Sequence, residues 1–64
     1  MEFKISMAAA RVNKNYSQKV AAEKLGVSLS TIKNWEKGHT SPKAKYIGKI
    51  CEVYEVPYDV IFFG

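Results

Sequence analysis

Few side chains in this sequence could make or break a covalent bond. It has one histidine, His39, and one cysteine, Cys51, and its six carboxylates are scattered. An acid–base pair, a nucleophile with its base, or a metal site each needs several such groups at one spacing. No enzyme, metal or cofactor is therefore expected. Cys51 lies on an apolar stripe and reads as an inert buried thiol. The chemistry on offer is recognition, and it gathers in KLGVSLSTIKNWEKG, Lys24 to Gly38. Val27, Ile32 and Trp35 make an apolar face there. Off that face lie Ser28, Ser30 and Asn34 as donors and acceptors, Lys33 and Lys37 as cations, and one leucine, Leu29. A leucine among serines on a polar face suits a surface that touches another molecule.

The elements that must carry these residues follow from periodicity and punctuation. Ile5, Ala8, Ala9 and Val12 have the i, i+3, i+4, i+7 spacing of a first helix, which stops near Asn13 and Asn15. Ser17 suits the cap of a second helix through Leu25, with Ala21, Ala22 and Leu25 inward. Gly26 ends it in the left-handed conformation. Ser28 caps a third helix to about Lys37, and Gly38 ends that. Ser41 as cap and Pro42 at the first helical position open a fourth helix, whose stripe is Ile47, Ile50, Cys51 and Tyr54. Pro57 opens a last helical turn over YDVIFF. "VIFF" could be a strand but would lack a partner, so the class is all-α.

The chain has 64 residues, so one domain over 1–64 is expected. A domain of this size buries only about 60% of its unfolded surface. One cysteine permits no intramolecular disulfide and fits a reducing compartment. No apolar run approaches the roughly 20 residues of a membrane span, and the N-terminus lacks signal-peptide organisation. Charge is uneven. Residues 1–49 hold all ten Lys/Arg against Glu2, Glu23 and Glu36, a balance of +7; residues 50–64 hold only Glu52, Glu55 and Asp59, a balance of −3. A basic end suggests an anionic partner, most often nucleic acid; plain solvation by lysines explains the charge equally well.

Residues 18–37 have the layout of a helix-turn-helix: Ala22 is small enough for close approach, Gly26 makes the turn, Val27 plugs the gap, and Ile32 and Trp35 anchor the third helix. YSQKVAAEKLGVSLSTIKNWEKG resembles the DNA-binding domain of phage repressor/Cro-type (Xre family) regulators. SPKAKYIGKICEVYEVPYDVI is similar to that family's fourth helix and closing short helix, so the likeness covers nearly the whole chain. It implies a compact five-helix, lambda-repressor-like fold whose third helix enters the major groove. It also implies a repressor that binds an operator as a dimer in the bacterial cytoplasm. With no room for a further oligomerisation or cleavage domain, the expected role is that of a small Cro-like phage or prophage switch protein. Two positions depart from the family: Glu55 stands where glycine is usual, and Ala21 where leucine is common.

In that frame the expected base contacts are Ser28, Leu29, Ser30, Lys33 and Asn34: leucine against a thymine methyl, serine to either edge, lysine to guanine, asparagine to adenine or a phosphate. The resemblance implies a phosphate contact by Gln18, beside Ser17 at a helix start. Lys37, His39, Thr40 and Lys43 flank the third helix as further phosphate contacts. Arg11 and Glu36 match a structural ion pair of the family. Val56, Tyr58, Ile61, Phe62 and Phe63 exceed what so small a core absorbs and are expected to form a weak homodimer interface on a near-palindromic double-stranded operator; the alternative is a tail folded back on the core. No small-molecule ligand is expected. The competing reading is an antitoxin-like protein-interaction module that uses this apolar tail.

Overall fold

A computed structural model describes residues 3–63; Met1, Glu2 and Gly64, the ends of the expected 1–64 domain, lie outside the described residues. The order is β1 (Ile5–Ser6), α1 (Met7–Asn13), α2 (Gln18–Leu25), α3 (Leu29–Lys37), α4 (Ala44–Tyr54) and β2 (Ile61–Phe62). Three helices start on serine caps. Ser6, Ser17 and Ser28 are extended, and their hydroxyls accept from the amides of Ala9, Val20 and Thr31 at 3.0–3.1 Å. Each satisfies one backbone donor that a helix start leaves open. Gly26 (φ 71°) and Gly38 (φ 80°) end α2 and α3 in the left-handed region.

α2 packs against α3 and α4, and α1 against α3 and β2. Between them lie Met7, Ala10, Ala21, Ala22, Leu25, Ile32, Trp35, Ile50, Tyr54 and Ile61. Two small residues, Ala21 and Ala22, let α2 sit close to its neighbours. The Trp35 and Tyr46 rings meet at 5.5 Å, tilted by 56°, which avoids the face-to-face sandwich that their quadrupoles disfavour.

Five expectations change. The inward face of α1 is Met7 and Ala10, with Arg11 half-buried beside them, whereas Ala9 and Val12 are exposed. Ile5 belongs to β1, so a stripe phased from it is out of register with a helix that starts at Met7. α4 starts at Ala44: Lys43 is its extended cap position and makes no side-chain cap bond. The buried Pro42 precedes the cap, with Ile47 at the fifth-residue-on position of a hydrophobic staple. There are four helices among the described residues, not five, because the segment after Pro57 is a turn and then β2. β2 does have a partner. It pairs in parallel with β1, Ile5 opposite Ile61 and Ser6 opposite Phe62, and the Ile5 amide donates to the Val60 carbonyl at 2.8 Å. The helix-turn-helix core remains as the all-α reading has it. Finally, Ile61 is 2% exposed; as a core residue it is unavailable to a dimer interface.

Candidate nucleic-acid interface

α3 divides cleanly. Ile32 and Trp35 are buried, while Leu29, Ser30, Lys33, Asn34 and Lys37 are exposed along the outer side. Leu29, Lys33 and Lys37 stand four apart, as do Ser30 and Asn34, so each set runs along one row of the helix. Leu29 is 40% exposed at the helix N-terminus. Ser28 is committed locally: its hydroxyl accepts from the Thr31 amide and shares a 2.9 Å bond with Thr31 Oγ1. A hydroxyl has one donor and two acceptor sites, so Ser28 keeps one for an outside partner. Ser17 is likewise held by its cap bond to Val20.

The flanks carry the remaining candidates. After Gly38 the chain turns back on the end of α3, where the His39 amide donates to the Asn34 carbonyl at 3.0 Å. His39 and Thr40 are exposed there. A cleft of about 300 Å³ lies beside them, lined by Thr31, Trp35, Thr40, Ser41, Lys43, Lys45 and Tyr46. It brings Thr40 and Lys43 together next to α3. It also places Lys45 with them, its ammonium 5.2 Å from the Tyr46 ring centroid. Lys45 is not among the contacts expected from the sequence; its position in the first turn of α4 is the signal that places it beside the loop.

Gln18 is not free in solvent. Its Nε2 donates to Glu36 Oε1 at 3.0 Å. Glu36 also takes a fork from Arg11, Nε to Oε2 at 2.7 Å and Nη2 to Oε1 at 3.1 Å, and Arg11 Nη1 donates to the Tyr16 carbonyl at 2.8 Å. Both charged side chains are largely buried, 14% and 8% exposed. The hydrogen bond to Glu36 raises the Arg11 pKa above its ordinary value, against the opposing effect of burial. The network ties the end of α1, the start of α2 and the end of α3 into one frame.

The expected dimer residues separate. Tyr58 and Phe62 are 65% and 57% exposed. Val56 and Phe63 are half-buried against the core, and Tyr58 and Phe63 lie 6.1 Å apart. Among the described residues no His/Cys/Asp/Glu group could hold a metal, and no helix is long and apolar enough to cross a membrane.

A family model described as Helix-turn-helix matches residues 7–61. Among curated proteins the chain is similar to an HTH-type transcriptional activator, BcrR of Enterococcus faecalis, 33% identical over all 64 residues. The chain spans 31% of that relative's length. No solved structure gives a significant match.

Proposed function

The chain belongs to the Cro/C1-type helix-turn-helix family of DNA-binding regulators, and from that membership we propose that it binds double-stranded DNA sequence-specifically through α3. The observation that carries the reading is the split of α3 into a buried anchor, Ile32 and Trp35, and an outer row of Leu29, Ser30, Lys33, Asn34 and Lys37. A major groove about 12 Å wide admits one helix presenting such a row. Gln18, Lys37, His39, Thr40 and Lys43, with Ser17, flank it as backbone contacts.

The sense of regulation we propose is repression, with a Cro-like phage or prophage switch role in a bacterial cytoplasm. The Enterococcus relative is named an activator, so a promoter–reporter assay with the selected operator discriminates the two. Weak two-fold association through Tyr58 and Phe62, with Val56 and Phe63 beneath them, would set the α3 helices about 34–36 Å apart on a near-palindromic operator.

Selection of preferred sites from random duplexes tests the reading. The expected result is a defined half-site whose sequence changes when Leu29, Ser30, Lys33 or Asn34 is replaced by alanine. Lys37→Ala and Lys43→Ala weaken binding to all duplexes and flatten the salt dependence by about one unit each. Enrichment of no sequence, or affinity indifferent to salt, overturns it in favour of an apolar protein-interaction module.

A further inference from the structure

The Arg11–Glu36 pair has more bonds than holding two helices together requires. One of them reaches a residue on the proposed DNA face: Glu36 Oε1 accepts at once from Arg11 Nη2 (3.1 Å) and from Gln18 Nε2 (3.0 Å). We infer that Glu36, neutralised by Arg11, is a positioning residue that presents the Gln18 amide to a DNA backbone phosphate. The inference rests on Gln18 being such a phosphate contact.

A glutamine amide has two N–H donors and one carbonyl acceptor on a freely rotating end. Bonding to a carboxylate settles its orientation, because the reversed amide would set an oxygen lone pair against a carboxylate oxygen with no hydrogen between them. One N–H is then spent on Glu36, and its twin is left in a fixed direction at the start of α2. Rotational freedom that would be lost on meeting DNA is already lost in the free protein, which is how preorganisation raises affinity.

Charge makes Arg11 necessary to this arrangement. A bare carboxylate in contact with a phosphate-binding group repels the phosphate. The Arg11 fork, Nε to Oε2 at 2.7 Å with Nη2 to Oε1, offsets that charge, and Arg11 is itself held by the Tyr16 carbonyl at 2.8 Å. The carboxylate can thus serve as an acceptor for Gln18 without acting as a net negative charge at the interface.

The test removes the pair without leaving one charge unpartnered. Replacing a buried ion pair by apolar residues of similar volume is often neutral for stability, while removing one member is costly. The variant is therefore Arg11→Met with Glu36→Met, used with Gln18→Ala alone and in combination. The free proteins are read first by the side-chain amide resonances of Gln18. In the wild type they are expected to be shifted and protected from exchange, and in the double methionine variant to return to the positions of an unrestrained glutamine. Unrestrained resonances in the wild type overturn the inference before any DNA is added, and this readout stands even where the methionine variant folds poorly.

Affinity for a fluorescently labelled mixed-sequence duplex is read next, since a phosphate contact needs no operator. Gln18→Ala is expected to cost about tenfold in the wild type, the low end for a hydrogen bond to a charged group. In the methionine background it should cost about twofold or less. Equal costs in both backgrounds overturn the positioning role alone and leave the phosphate contact standing. A wild-type background indifferent to Gln18→Ala overturns the phosphate contact, and the inference with it.

Discussion

Between Ser17 and Gly38 each helix end is finished by its own sequence neighbours. Ser17 and Ser28 accept from amides three residues on, and Gly26 and Gly38 supply the left-handed stops. The layer that closes the fold adds long-range contacts to such local ends. β1 meets β2 across 56 positions of chain (Ile5 to Ile61), α4 starts without a side-chain cap, and its left-handed stop, Glu55, bonds Cys51 and Glu52 through its amide as the glycines bond their own helices, and Lys14 through its carboxylate. The reading unit is thus specified locally and the platform behind it by contacts between distant segments. The proposed recognition surface stands on the first and depends on the second for its seat.

The largest effect should come from the platform. Ile61 is 2% exposed in a strand of two residues, a length whose own hydrogen bonds could not hold it. Ile61→Ala is expected to cost about 2–5 kcal/mol, as for other buried large-to-small changes. Urea unfolding at low concentration measures it. Tyr58→Ala, at an exposed neighbour, should cost little. Similar small losses for both would return Ile61 to the surface and make the tail an appendage.

This division explains what could be read in the sequence. The α2–α3 unit was legible from Ser17, Gly26, Ser28 and Gly38 because caps and left-handed glycines act within four residues. The α3 outer row was legible by subtraction, once Ile32 and Trp35 were assigned inward. Two-residue strands have no measurable period, so β1 leaves no trace and Ile5 reads as part of a helix it does not join; VIFF is readable as a strand, but with β1 hidden it has no visible partner. The Arg11–Glu36 pair is expected from the family resemblance alone, because a search for apolar stripes sees Arg11 only as an interruption on the inward side of α1. The bond from Gln18 to Glu36 joins residues 18 apart in sequence; periodicity cannot report it.

A second effect belongs to the helix that bridges the two regions. Tyr54, near the end of α4, is 1% exposed, and its hydroxyl has no hydrogen-bond partner among the described residues. Burial first, and the charge of Glu36 second, push its pKa up to about 12. The folded state therefore keeps the proton after the unfolded chain has lost it near 10. That contribution is fully present below pH 10 and declines as pH rises through the folded value, by about 1.4 kcal/mol per unit between them. Tyr54→Phe should flatten this alkaline loss in thermal melts and leave neutral stability equal or slightly higher. An unchanged alkaline slope would mean that another group sets it.

Within the reading unit the expected effects are smaller. A Cβ added at Gly26 meets nothing within 4 Å, so Gly26→Ala isolates backbone strain, about 1–2 kcal/mol. Ser28→Ala should cost about 1 kcal/mol, whereas Lys43→Ala at the uncapped start of α4 should cost almost nothing. A Lys43→Ala loss equal to that of Ser28→Ala would erase the contrast between local and distant specification.

The smallest effect tests the same contrast from the other side. Glu55 ends α4 at φ 54°, ψ 49°, where a side chain costs roughly 1–2 kcal/mol that glycine escapes. Glycine adds freedom to the unfolded chain and returns about 0.4–1 kcal/mol of that. Glu55→Gly should therefore be stabilising by up to about 1 kcal/mol at neutral pH. It also removes the Lys14 contact, which lowers the Glu55 pKa through a hydrogen bond first and charge second. A lowered carboxylate pKa means stability present above the unfolded value and lost as pH falls through the folded one. The wild type thus gives up the Lys14 contact on acidification, and the glycine variant has nothing there to lose. Titrations shared by the two proteins cancel in their difference, so the variant's advantage should grow as pH falls through the carboxylate range. Urea midpoints of both proteins from neutral to acid pH measure it. A constant advantage would make the Lys14 contact energetically silent, and a destabilised variant would mean that this stop, like Gly26 and Gly38, is already satisfied by the residue it has.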